Sequence, residues 1–221
     1  LDTEVRGLAA PGGLHVYLLQ PFVPRERVLT TVLRDAPPER GAALLRRLAD
    51  AVAAVVDERV GLDAQAANWA VDDGDRLVLF DVSTPMLRAP GGRQELDLAI
   101  FLSIYPWALR RVLRRVAGGV MAQYHDPRTV LLDVASNLHK EELGRWLPAF
   151  LAAANEHVAP ALTAGEVQRY FRRDRALWLA LQRLRRADRA WQRVVRRRAY
   201  PFLLAPPYRY GPMTPPEEGS P

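Results

Sequence analysis

Between residues 39 and 60, Leu44, Leu45, Leu48, Val52, Val55 and Val56 recur at helical spacing, as in a helix with one face turned inward. The pattern predicts an amphipathic helix that Gly61 ends. Ahead of it, GLHVYLLQPFVP reads as a short buried strand over residues 15–20 that leaves through Pro21 and Pro24. Residues 25–34 suit a helix, which Ala36-Pro37-Pro38 interrupts. Behind it, residues 68–71 and 76–81 are brief apolar runs separated by Asp72-Asp73-Gly74-Asp75, a hairpin signal. Residues 83–92 hold Pro85, Pro90 and two glycines and read as a loop. From residue 95 onward the pattern is helical, with breaks near Pro106, Gly118-Gly119, Pro127, Pro148 and Pro160. The last sixteen residues contain six prolines and predict a tail. The fold expected is mainly α with a small β portion.

Composition narrows the class. A chain of 221 residues with 49% hydrophobic content can bury one good core, or a core with a small lobe attached. Arg, Asp or Pro breaks every strongly apolar stretch well before 18 residues, and no basic-then-apolar leader opens the chain. Neither a membrane span nor an export signal is expected, and a cytoplasmic location follows. The chain opens on Leu1 rather than Met, so a fragment or processed product is expected. The lack of cysteine excludes disulfides, a thiol nucleophile and Cys-based zinc sites. His15, His125, His139 and His157 show no metal-ligand spacing, and His15 is expected to be a core histidine. Trp107, Trp146, Trp178 and Trp191 fall in helical patterns that predict packing roles, and Trp69 is placed to pack beneath whatever Asn68 forms.

Charge is uneven. Lys140 is the only lysine among 31 Lys and Arg, a bias typical of a GC-rich genome. Residues 166–198 carry twelve Arg against Glu166, Asp174 and Asp188. They read as one or two helices with Tyr170, Phe171, Leu177, Trp178, Leu181, Leu184, Trp191, Val194 and Val195 inside and arginine outside. Such a face is first of all a solvated one. Its functional reading is attraction of an anionic partner: nucleic acid, an acidic membrane surface or a phosphorylated substrate. No base-reading motif accompanies it, which argues against sequence-specific recognition of nucleic acid.

The residues with most chemistry are Asp63, Asn68 five positions on, and Asp81 thirteen beyond that. Phosphoryl transfer needs a carboxylate to orient or deprotonate the attacking hydroxyl and hard oxygen ligands to hold Mg²⁺ against the phosphates. A helix delivering Asp63 on a tight loop, followed by a hairpin that starts at Asn68 and finishes at Asp81, puts these three at one end of the hairpin.

The pattern Asp-x4-Asn-x12-Asp between a buried helix and a hairpin resembles the catalytic loop and metal-binding segment of the protein-kinase-like superfamily. Asp97-Leu98-Ala99 resembles the Asp-Leu-Ala element of its aminoglycoside and choline phosphotransferase branch. Upstream, LLQPFVP resembles the hinge that binds adenine with main-chain groups. The resemblance covers residues 14–105 by motif. It implies a kinase-like C-terminal lobe: residues 1–24 as a remnant of the N-terminal lobe and hinge, 25–204 as the helical lobe, and 205–221 as a Pro-rich tail. It implies Asp63 as catalytic base, Asn68 and Asp81 as Mg²⁺ ligands, and Asp97 as a brace of the catalytic loop. The Gln20 carbonyl and Phe22 N–H would bind the adenine of ATP, and the acceptor would be a hydroxyl on a small molecule. The family motif carries His two positions before the catalytic Asp, where this chain has Gly61. The residues before Leu14 are too few for a glycine-rich strand pair and a lysine-bearing strand. The alternative expectation is therefore a kinase-like binding or scaffold protein that docks an anionic partner through its arginine-rich helices.

Overall fold

The computed structural model describes residues 1–200 apart from Gly12, Ser83, Pro85, Ile104 and Pro106, together with Leu204. The Pro-rich tail and the break at Pro106 lie outside the described residues. The architecture is mainly α with a small β portion, as expected.

The chain opens with an antiparallel ribbon, β1 (Glu4–Ala10) paired with β2 (Gly13–Leu19). Every residue of β2 is exposed, including His15. The buried strand and core histidine expected here are corrected: alternation along LHVYLL puts apolar groups on both faces, and a two-stranded ribbon has no second layer to cover either.

A turn at Arg25–Arg27 leads into α1 (Leu29–Asp35), and Pro38 begins α2 (Pro38–Val55) at a position where its missing N–H costs nothing. Leu44, Leu45, Leu48 and Val52 are fully buried, so the predicted inward face is present. The helix ends at Val55, six residues before Gly61. The Asp57 side chain turns the chain there by accepting hydrogen bonds from the N–H groups of Arg59 and Val60, both at 2.7 Å. Gly61 belongs instead to β3 (Val60–Gly61), whose partner β6 (Met86–Leu87) lies inside the stretch expected to be all loop.

The predicted hairpin is β4 (Trp69–Val71) and β5 (Leu77–Leu79). Asp72 closes its turn, its Oδ1 accepting from the N–H groups of Gly74 and Arg76 at 2.9 Å each. Residues Trp69, Ala70 and Val71 are buried, and Ala70 bridges to Val28 at the head of α1.

Helices α3 (Leu98–Leu102) and α4 (Trp107–Gln123) follow. Helix α4 runs through Gly118 and Gly119 without the predicted break; propensity alone makes Gly costly in a helix, by about 1 kcal/mol, but does not terminate it. Asp126 caps α5 (Pro127–Lys140) by accepting from the Thr129 N–H at 3.1 Å. Helices α6 (Leu147–Ala154) and α7 (Ala164–Val194) complete the described elements.

The core lies between α1, α2, α5 and α6, with the first turns of α7 closing it: Leu33, Leu48, Leu138, Phe150 and Val167 are all fully buried. Each such side chain contributes roughly 2–3 kcal/mol of burial free energy. Trp146 lies so close over α2 that a Cβ at Gly41 would fall 2.0 Å from its ring. Its Nε1 donates to the Leu33 carbonyl at 2.9 Å, tying α1 into the same cluster.

Beyond Phe171, α7 departs from the predicted burial. Leu177, Trp178, Leu184, Trp191, Val194 and Val195 are exposed, while Gln182 and Arg185 are buried. The distal half of the helix buries these two polar residues and exposes the apolar ones together with Arg172, Arg173, Arg183, Arg186, Arg189 and Arg193. Among the described residues no helix is long and apolar enough to cross a membrane.

Candidate active site

The loop after β3 is fastened on three sides. The Leu62 N–H donates to the Tyr124 carbonyl at 3.0 Å, the Asn68 side-chain amide donates to the Asp63 carbonyl at 3.0 Å, and the Trp69 Nε1 donates to the Ala64 carbonyl at 3.3 Å. Trp69 is 6% exposed and packs beneath the loop, where its sequence position put it. Phe80 donates its N–H to the Asn68 carbonyl at 3.1 Å, so the two ends of the hairpin are held together where Asp81 emerges.

Gly61 has a local explanation. A Cβ there would lie 2.9 Å from the His125 ring and 3.0 Å from the Met86 Cβ. The imidazole of His125, 6% exposed, fills the space that a side chain at position 61 would take. Its Nδ1 donates to the Met121 carbonyl at 3.0 Å. Tyr124 and His125 together thus support the Asp63 loop from behind, through a backbone bond and a packed ring.

Asp63 is partly buried, and its Oδ1 accepts no hydrogen bond from the described residues. Burial pushes its carboxyl above the usual range, and the charge of Asp81 acts in the same direction. The Gln65 N–H, the Asn68 side chain and the charge of Lys140 pull it back. Asp63 thus interacts with Asn68 by hydrogen bonding and with Asp81 through its charge, with Asp81 exposed.

Around them stand groups that sequence reading did not find. Asp133 on α5 is pushed up to about 7, chiefly by burial and next by the charges of Asp63 and Asp174. The Tyr170 hydroxyl hydrogen-bonds to it and stabilises its ionised form. Asn137, one turn on, donates to the Asp133 carboxylate at 3.2 Å. Asp174 on α7 is also raised by desolvation, although its surface is exposed. Tyr124 and Tyr170 are both held in the neutral form, first by burial and then by these carboxylates. Lys140, at the end of α5, acts on Asp63, Asp133 and Asp174 alike. A signal for part of this was present: Asp133, Asn137 and Lys140 stand at i, i+4 and i+7, one polar stripe along a helix whose other middle positions are mostly apolar. Tyr170 and Asp174 repeat the i, i+4 step on α7, but only the packing of α5 on α7 turns two stripes into one cluster.

The remaining predicted residues lie elsewhere. Asp97 is exposed and accepts a 2.8 Å hydrogen bond from the Ala99 N–H, at the start of its own helix. Gln20 is half-buried and donates through Nε2 to the Thr3 hydroxyl at 3.1 Å, and Phe22 is 88% exposed. Among the described residues no group of three or more His, Cys, Asp or Glu is arranged to hold a metal ion. Asn68 and Asp81 offer the hard oxygens that suit Mg²⁺, and two protein ligands suffice where phosphate oxygens supply others.

A family model described as a family of unknown function, DUF6206, matches residues 1–189. No curated protein and no solved structure matches the chain.

Proposed function

We propose that the chain, which belongs to that family of unknown function, is a kinase-like phosphotransferase that moves the γ-phosphate of ATP to a hydroxyl of a small molecule. One observation carries this reading: the Asp63 carboxyl, its buried Oδ1 without a hydrogen bond, stands beside the two oxygen-bearing groups of Asn68 and Asp81. The raised Asp63 carboxylate is a better base than an ordinary aspartate. It takes the proton of the acceptor hydroxyl as that oxygen bonds to the γ-phosphorus and the bond from the γ-phosphorus to the departing ADP oxygen breaks. Asn68 and Asp81 would hold Mg²⁺, which supplies charge neutralisation on the phosphates. Gln20 and Phe22 would meet the adenine, and Asp97 would brace the segment after the metal site.

On this reading the acceptor would approach from the side of Asp133, Asp174, Tyr124 and Tyr170, which interact electrostatically with Asp63 or with one another. With Asp133 near neutrality, a positively charged group on the acceptor would favour its ionised form and gain an ion pair by doing so. An amine-bearing hydroxyl compound fits best.

A second reading has its own support. Lys140 is the only lysine in the chain, it lies on α5 rather than on a strand ahead of Gln20, and its charge acts on three carboxylates. A kinase-like binding protein without transfer chemistry, docking an anionic partner through the arginines of α7, would need no such lysine.

Phosphate release or transfer from ATP by the full-length protein, measured for the native chain and for Asp63→Ala, separates the readings. Loss of about 10²-fold or more in the variant, with an unchanged urea midpoint, supports Asp63 as base. Activity retained in Asp63→Ala removes it from the mechanism, and absence of any activity in the native chain favours the second reading.

A further inference from the structure

At the C-terminal end of α7 the chain turns back on itself, and Arg189, Arg193, Arg197 and Arg198 line an open cavity of about 800 Å³ together with Tyr200 and Leu204. Among the described residues none of these four guanidinium groups is in a salt bridge. Some arginines elsewhere do pair with carboxylates: Arg128 with Glu166 at 2.8 Å, Arg40 with Asp75 at 2.8 Å, and Arg76 with Asp72 at 2.7 Å. Four like charges gathered round one cavity repel one another, and a counter-charge relieves that repulsion. The helix C-terminus supplies only about half a negative charge. A ligand with three or four negative charges matches the lining, and a single phosphate does not.

We propose that this cavity binds a ligand carrying several phosphate groups, held by the four arginines through paired N–H to oxygen hydrogen bonds. The volume lies within the range of small-molecule sites. Trp191, Val194 and Val195, in the last turn of the same helix and just after it, are 55%, 76% and 54% exposed. None of them lines the cavity; they form a separate exposed apolar surface on the same turns of the helix, which a membrane-borne headgroup would bring into contact and a free polyphosphate would not. The site is separate from the Asp63 cluster and does not depend on phosphoryl transfer there.

The test uses the full chain at physiological ionic strength, about 0.15 M, with a chelator present so that no Mg²⁺-dependent binding at Asp63 contributes. Two probes distinguish the sources: inorganic tripolyphosphate by calorimetry, and phosphatidylcholine vesicles with and without phosphatidylinositol bisphosphate by co-sedimentation. Binding of tripolyphosphate assigns a soluble ligand, and binding only to the phosphoinositide vesicles assigns a lipid headgroup; either supports the site. In both cases the double variant Arg193→Gln/Arg197→Gln binds about tenfold more weakly or worse, and Asp63→Ala binds as the native chain does. The proposal is overturned if neither probe binds, if the double variant binds as tightly as the native chain, or if single-stranded RNA binds far more tightly than both probes.

Discussion

Two antiparallel hairpins of similar apolar content meet opposite fates in this molecule. The β4–β5 hairpin has Trp69, Ala70 and Val71 buried, bridges to the head of α1, and carries Asn68 and Asp81 at its ends. The β1–β2 ribbon has Val5, Leu14 and Val16 each about 60% exposed and is anchored through its own register. Apolar sequence does not decide burial; a second layer does. The consequence for the proposed site is that its floor is braced by the core, through Tyr124, His125 and Trp69, whereas the segment carrying Gln20 and Phe22 hangs from a ribbon that adds no packing. A nucleotide would order the second half and find the first already in place.

The largest effect that tests this contrast is in the core. Phe150→Ala removes a fully buried ring between α6 and α2 and is expected to cost about 4 kcal/mol in urea unfolding. A loss under about 1 kcal/mol would mean that the helical layer is not the support described.

Next comes the carboxylate cluster. Asp133 is raised in the fold above its unfolded value near 3.9, so the folded chain holds this proton more tightly than the unfolded chain does. Its contribution to stability is present below the unfolded pKa and is lost as pH rises through about 7. The native chain is expected to lose stability relative to Asp133→Asn between acid and mildly alkaline pH, by roughly 3–4 kcal/mol. Parallel stability curves for the two proteins across that window would show that Asp133 is not buried among carboxylates.

The smallest effect belongs to the ribbon. Val16→Ser on the exposed β2 should change the unfolding midpoint by no more than about 0.5 kcal/mol. A cost above about 1 kcal/mol would reveal that something covers this face and would erase the contrast.

The same contrast explains what the sequence made legible. The hairpin was readable because Asp72 and Gly74 specify a turn by local hydrogen bonds, and that hairpin brings the chain at Phe80 back to Asn68. The α2 face was readable from its period. Burial of whole elements was not: LHVYLL and the distal half of α7 carry apolar residues that local pattern assigns inward, and their exposure depends on what stands opposite. Asp133, Tyr170 and Lys140 were missed because their meeting is a property of α5 packed on α7. His125 was missed because its role, filling the space above Gly61, is one of shape and has no motif.

The most direct test of the central claim, that Asp63, Asn68 and Asp81 form one site for Mg²⁺ and a phosphorylated nucleotide, is a calorimetric titration of the full-length protein with ATP, with and without Mg²⁺, repeated on Asp81→Ala. The account predicts micromolar binding, of the order typical of enzyme substrates, that requires Mg²⁺ and is lost in the variant. Binding that is indifferent to Mg²⁺ and to Asp81, or no nucleotide binding at all, would contradict it.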